Sequence, residues 1–281
     1  MTEYVIKKRL NNNVLLAHDR GGNPVILIGR GIGFQARENA IFREISRVEQ
    51  TFVLYQQENQ SRFKEIVQGT DPELIAILEE CLKKFQQQCP CPINENIHNT
   101  LTDHIAFALE RHRRGIDFHN PFNESLKYVY PEEYRFAQEI IKQINAYYQT
   151  DLIDDEIGIV AIHLRAAKQN ESLQFSRKQA KLIEETVSAL YNLVDAKPDE
   201  HGLTYQRLLI HCRFAYERIL KKEPMDDAIA ALIQKEYSSD FKAVKQILDQ
   251  IADKNNLVIP ESEAAYLVIH LKRLQPDETK N

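Results

Sequence analysis

The chain has 281 residues, 43% hydrophobic and 27% charged, which excludes a disordered or collagen-like chain and supplies apolar material for two or three cores. The opening MTEYVIKKRL lacks the apolar centre of a signal peptide, and no apolar run nears the roughly 18 residues that span a bilayer. A cytoplasmic protein with no membrane insertion is therefore expected. The net charge of −5 is uneven, +3 over residues 1–55 and −8 over the rest, as for a small polyanion-binding head on an acidic body.

The first fifty residues suit short strands. Tyr4–Leu10, Val14–His18 and Val25–Ile28 are apolar-rich runs, and the breaks between them are Asn11-Asn12-Asn13 and Arg20-Gly21-Gly22-Asn23-Pro24. A further run, Thr51–Tyr55, closes the head. The intervening glycine cluster Gly29-Arg30-Gly31-Ile32-Gly33-Phe34-Gln35 lacks the Gly-Lys-Ser/Thr ending of a phosphate-binding loop. It offers backbone access at its glycines, a charge at Arg30 and a stacking face at Phe34, and Asn11, Asn12 and Asn13 add amide donors and acceptors. Those are the parts of a single-stranded or looped nucleic-acid site, and also of a plain hairpin turn with a core phenylalanine.

From about residue 60 the apolar residues recur at three- and four-residue steps, as in Leu74, Ile77, Leu78, Leu82 and in Ile140, Ile141, Ile144, so the body is helical. It also repeats. A shift of 107 residues carries His104 onto His211 and His163 onto His270. His-Ile-Ala-Phe-Ala-Leu-Glu-Arg (104–111) then lies on His-Cys-Arg-Phe-Ala-Tyr-Glu-Arg (211–218), and Glu156…Ile162-His163-Leu164 lies on Glu263…Ile269-His270-Leu271. Two copies of one helical domain are expected, with the polar stretch 168–176 (KQNESLQFS) as a linker. Four cysteines, Cys81, Cys89, Cys91 and Cys212, are too few for a disulfide framework, and Cys89-Pro-Cys91 has no second Cys or His pair to complete a metal site.

Four of the nine histidines thus occupy two repeat-equivalent positions, whereas His18, His98, His112, His119 and His201 have no counterpart. Three chemistries stay open for the paired ones. A metal site could add Glu156 or Glu263 as a ligand. Acid–base catalysis would need a nucleophile motif common to both copies, and none is visible. Phosphoryl acceptance needs only a neutral, accessible imidazole, and Arg111 and Arg218, two helical turns after His104 and His211, could face the added charge.

Leu-Asn-Asn-Asn-Val-Leu-Leu (10–16) followed by Val-Ile-Leu-Ile-Gly-Arg-Gly-Ile-Gly-Phe-Gln (25–35) resembles the co-antiterminator RNA-binding domain of the BglG/SacY/LicT family. Leu-Thr-Asp-His-Ile-Ala-Phe-Ala (101–108), Asn-Pro-Phe (120–122) and Glu-Ile-Gly-Ile-Val-Ala-Ile-His-Leu (156–164) look like that family's first phosphotransferase regulation domain, and the 211 and 270 regions like its second. The glucose-responsive branch is the nearest in wording. The resemblance implies a multidomain protein: a small antiparallel β-sheet RNA-binding domain over 1–60, then two duplicated all-α helical-bundle domains over 61–171 and 172–281. It implies a homodimeric, non-enzymatic transcription antiterminator without cofactor or metal, which clasps an RNA hairpin overlapping a terminator. Asn11, Asn12, Asn13, Gly29, Arg30, Gly31, Gly33, Phe34 and Gln35 would face the RNA. His104 and His163 would take phosphate from a sugar permease enzyme II, and His211 and His270 from the phosphocarrier HPr. The Asp103 before His104 becomes Ile210 before His211, so any orienting role for that aspartate is confined to the first copy. The alternative is a phosphorylated interaction or DNA-binding regulator without RNA binding.

Overall fold

The computed structural model describes residues 3–90, 92–116, 118–120, 122–223 and 227–274, so Cys91 and Pro121 lie outside the described residues. Five strands open the chain: β1 (Tyr4–Arg9), β2 (Val14–His18), β3 (Pro24–Ile28), β4 (Ile41–Phe42) and β5 (Gln50–Val53). They form one antiparallel sheet in the order β4-β1-β2-β3-β5. The central strands carry no polar face. All five residues of β3 and the first four of β2 are buried. One face holds the cluster of Ile6, Leu15, Ala17, Val25, Leu27, Ile32 and Phe42, and the helices that follow cover the other. A sheet covered on both faces needs apolar residues at consecutive positions, and Val25-Ile26-Leu27-Ile28 supplies them.

Eleven helices are described after the sheet. The first six are α1 (Gln57–Gly69), α2 (Pro72–Gln87), α3 (Ile97–Arg113), α4 (Asn123–Val129), α5 (Pro131–Tyr148) and α6 (Asp154–Gln169). The remaining five are α7 (Leu173–Leu193), α8 (Leu203–Lys221), α9 (Asp227–Glu236), α10 (Ser238–Asn255) and α11 (Glu261–Lys272). Their starts have local causes. The Asp71 carboxylate caps α2 by accepting from the Glu73 N–H at 3.0 Å, and Pro72 occupies the first turn, where no N–H is needed. The 107-residue repeat is reproduced in register, since α10 begins 107 residues after α5 and α11 begins 107 residues after α6.

The chain divides into two compact units, Met1–Asn120 with Glu132–Leu173, and Pro121–Pro131 with Gln174–Asn281. In the first, α2 lies on β2 and β3, and Phe52 of β5 meets the His98 ring of α3 at 4.6 Å between centroids. His98 is a structural histidine, buried with its Nδ1 2.8 Å from the buried Glu79 carboxylate. In the second, α4 belongs to the first copy by sequence yet packs on α8 of the second. Arg213 donates to the Val129 carbonyl at 2.9 Å, Tyr130 donates to Gln179 at 3.1 Å, and Ser125 meets Tyr205 at 3.0 Å and the Glu184 carboxylate. The polar stretch expected to be a linker is mostly helix. Lys168 and Gln169 end α6, Asn170 closes it with a left-handed φ of 55°, and α7 begins at Leu173.

Candidate functional site

In the first copy, His104 on α3 and His163 on α6 stack with ring centroids 5.2 Å apart at 30°. His104 is partly exposed and His163 buried. Glu156, in the first turn of α6 and 2% exposed, joins His104 to Arg111: its Oε2 lies 3.0 Å from His104 Nε2, and its Oε1 accepts from Arg111. The helix N-terminus favours a carboxylate at that position. A carboxylate accepts only, so in the tautomer of His104 whose Nε2–H faces Glu156 the ring's lone pair is on Nδ1. His163 Nδ1 is 3.3 Å from the Thr100 hydroxyl, one helical turn before His104. The Arg111 guanidinium also lies over Phe107 and Phe118, at 5.4 and 4.7 Å from their centroids. Burial lowers its pKa.

The second copy keeps the frame and changes the partners. His211 on α8 and His270 on α11 stack at 3.7 Å and 20°. Arg218 grips the buried Glu263 with both ends of its fork, Nε to Oε1 at 2.7 Å and Nη2 to Oε2 at 2.5 Å. With Glu263 so engaged, His211 Nδ1 lies instead 2.7 Å from the Tyr266 hydroxyl. In the tautomer whose Nδ1–H donates to that oxygen, the lone pair is on Nε2, the ring nitrogen opposite to that of His104. Burial is the first cause that lowers the His211 pKa, followed by the charges of Arg273, Arg207 and Arg218. Burial, then His211 and Arg273, bring His270 down to about 4. Both rings are neutral at physiological pH, the state in which an imidazole is a nucleophile.

The repeat-equivalent histidines and arginines are therefore brought together as the sequence suggests, with the two glutamates as arginine partners. Three further residues are not visible in the sequence pattern: Tyr266, which stands where the first copy has Ile159, Arg207, which stands where it has Thr100, and Arg62 of α1. Asp103, a candidate to orient His104, pairs with Arg62 at 2.7 Å rather than with an imidazole. Differences between the two copies at matched positions are the signal that could have exposed Tyr266 and Arg207.

In the head, the nine residues proposed to face a nucleic acid separate by structural task. Asn12, Arg30, Phe34 and Gln35 are exposed, Phe34 at 72%. Asn11 and Asn13 build the loop: the Asn11 Oδ1 accepts from the N–H groups of Asn13 and Val14 at 2.8 and 2.9 Å, and the Asn13 Oδ1 accepts from the Gly31 N–H at 3.0 Å. Their amide nitrogens donate to α2, Asn11 to Glu73 at 3.4 Å and Asn13 to Glu80 at 3.1 Å. Gly31 has φ +70°, a Cβ on Gly33 would strike the Asn11 carbonyl, and one on Gly29 would strike that of Arg47. The glycines serve the loop's own packing, which in turn presents Arg30 and Phe34.

Residues 4–61 match the CAT RNA binding domain family, and residues 76–167 and 174–274 each match the PRD domain family. The chain belongs to the BglG-type antiterminator family. Among its relatives, the PtsGHI operon antiterminator of Bacillus subtilis (strain 168) is 33% identical over 273 residues, covering 96% of this chain and 97% of that protein. Protein GlcT of Staphylococcus haemolyticus (strain JCSC1435) is 29% identical over 273 residues, covering 96% of each. The crystal structure of GlcT CAT-PRDI, 36% identical, covers 60% of this chain and 99% of its own, with a TM-score of 0.51. This antiterminator is thus an RNA-binding transcription regulator with a small sheet domain and duplicated helical regulatory domains. No helix among the described residues is long and apolar enough to cross a membrane.

Proposed function

We propose that the protein is a cytoplasmic, homodimeric antiterminator of a glucose-permease operon. The domains run 1–60, 61–171 and 172–281, and phosphoryl groups on His104, His163, His211 and His270 set whether the head holds RNA. The sugar is inferred from the names of the relatives, GlcT and the PtsGHI operon antiterminator. The observation that carries the regulatory part is the pairing of two stacked histidines beside a buried Arg–Glu pair in each copy. Each site holds two stacked imidazoles between neighbouring helices, where added phosphate charge would redistribute the arginine contacts. The donors fitting this chemistry are phosphorylated proteins of the phosphotransferase system: the permease enzyme II for the first copy and HPr for the second. In each transfer the lone pair of a ring nitrogen forms the new N–P bond while the donor's own bond to phosphorus breaks. The donor atom keeps that electron pair, and the ring proton is released.

Asn11, Asn12, Asn13, Gly29, Arg30, Gly31, Gly33, Phe34 and Gln35 form the RNA site on this reading, with contact made by the exposed Asn12, Arg30, Phe34 and Gln35. Arg30 supplies charge to the backbone and Phe34 a stacking platform, a contact worth about 1–3 kcal/mol per base. The test is binding of the full chain to a terminator-overlapping hairpin and a scrambled control across a salt series. Hairpin-selective affinity that falls with salt, and that drops about tenfold or more in Phe34→Ala, supports the reading. Equal affinity for both RNAs, unchanged in Arg30→Ala and Phe34→Ala, contradicts it.

A further inference from the structure

A partly open pocket of about 380 Å³ adjoins His163, and among its lining residues are Asn59, Arg62, Asn94, Asn96, Thr100 and the histidine itself. At ~30 Å³ per water it has room for roughly a dozen waters, and so for a phosphoryl group with its hydration. Arg62 is the single cationic side chain among the described residues lining it, and Glu58 and Glu171 line it too. An arriving dianion would therefore have to draw Arg62 to be held there. Arg62 is half exposed, and its contact with Asp103, also half exposed, is a surface pair that gives up little when exchanged. A bidentate arginine contact to phosphate is the stronger of the two.

The position of Arg62 gives the exchange a consequence. It lies on α1, the helix that begins four residues after the last strand of the sheet ends at Val53. The start of that helix is already pinned from the same side: the Glu95 carboxylate accepts from the Tyr55 and Gln56 N–H groups at 2.7 and 2.9 Å and from the Asn59 amide at 2.8 Å. Asp103 immediately precedes His104. We propose that Arg62 is the residue that reads the phosphorylation of His163, leaving Asp103 for the phosphoryl group in this pocket and so drawing α1, the connection to the sheet, onto α3 and α6. The assignment rests on the reading of His163 as a phosphoryl acceptor and gives that acceptor a receiving residue.

The test uses the full chain and phosphoramidate as a small donor. The lone pair of a His163 ring nitrogen forms the N–P bond. The P–N bond of phosphoramidate breaks, and ammonia leaves with its electron pair and takes up the proton released from the ring. Mass spectrometry reads occupancy at His163, and hydrogen exchange reads the amides of α1. The expected result is full-chain protein phosphorylated at His163 whose α1 amides exchange about fivefold more slowly, the low end of ordinary site-to-site coupling. In Arg62→Gln, His163 is phosphorylated to the same extent and α1 exchange does not change. The exposure of Arg62 makes this variant compatible with folding, and Asp103→Asn, which spares Arg62, is expected to keep the response. Phosphorylation at His163 with the same slowing in Arg62→Gln as in the parent would overturn the role of Arg62 alone. Absence of phosphate at His163 in the parent would overturn the acceptor reading and the inference with it.

Discussion

Arg218 and Glu263 make two hydrogen bonds in a place where the carboxylate is 1% exposed and the arginine 24% exposed. Removing one partner strands the other charge, and Glu263→Gln should cost about 2–3 kcal/mol in urea unfolding, below the full figure for a buried pair because water still reaches part of Arg218. A cost under about 0.5 kcal/mol would mean that the pair is solvated in solution. The neighbouring His270 makes stability depend on pH, and its sign is fixed. The unfolded chain takes up a proton near the ordinary value of 6.5, whereas the folded ring does so only near 4, so between those values the unfolded state holds more protons. Its contribution is complete above about pH 6.5 and is lost as pH falls towards 4. The loss between pH 7 and 5, on the order of 1 kcal/mol, should shrink in His270→Gln. An equal acid loss in both proteins would remove His270 from the account. At this scale the sequence showed which histidines and arginines belong together, because a 107-residue offset aligns them. It could not show that Glu156 and Glu263 hold the arginines, or that Asp103 turns to Arg62, since those contacts join separate helices.

The helix α4 belongs to one copy by sequence and to the other by packing. Its buried residues include Asn123, Ser125, Leu126 and Val129; Glu184 of α7 and Tyr205, Gln206 and Arg213 of α8 are partners of the helix, and Gln179 of α7 is a partner of Tyr130 just after it. A seven-residue helix has no stability of its own in water. A fragment ending at residue 172 should keep exchange protection in α3, α5 and α6 while the amides of α4 exchange near the unstructured rate. Strong protection of α4 in that fragment would show that it can dock within its own copy. The repeat made the helical pairs legible, and β2 and β3 were legible as apolar runs between turn residues. The strand β4 was not, because two residues paired with Tyr4 and Val5 leave no periodic signal. The polar run after α6 misled for a physical reason: helix ends at the surface are polar, and only Asn170, Glu171 and Ser172 leave the helices there.

At the scale of the whole molecule, a head that holds RNA and two regulatory repeats must be linked by free energy, so that phosphate on a histidine changes the population of RNA-binding chains. A tenfold change in that population needs about 1.4 kcal/mol, which one charge-assisted arginine–phosphate contact can supply. Asn11 and Asn13, which build the loop that presents Arg30 and Phe34, donate to Glu73 and Glu80 of α2 and so join that loop to the helical body. The family and its order of domains were legible from residues 10–35, 101–108 and 156–164; the division of the RNA set into loop-building and exposed residues needed the three-dimensional arrangement. The most direct measurement is single-round transcription through a terminator whose upstream hairpin the protein binds, with the purified full chain either unmodified or phosphorylated by the permease's enzyme II domain. The protein should raise read-through, phosphorylation at His104 and His163 should change that read-through by about tenfold, and His104→Ala with His163→Ala should abolish the response. Read-through that is the same with and without the protein, or a response to phosphorylation that survives the loss of both histidines, would contradict the proposed function.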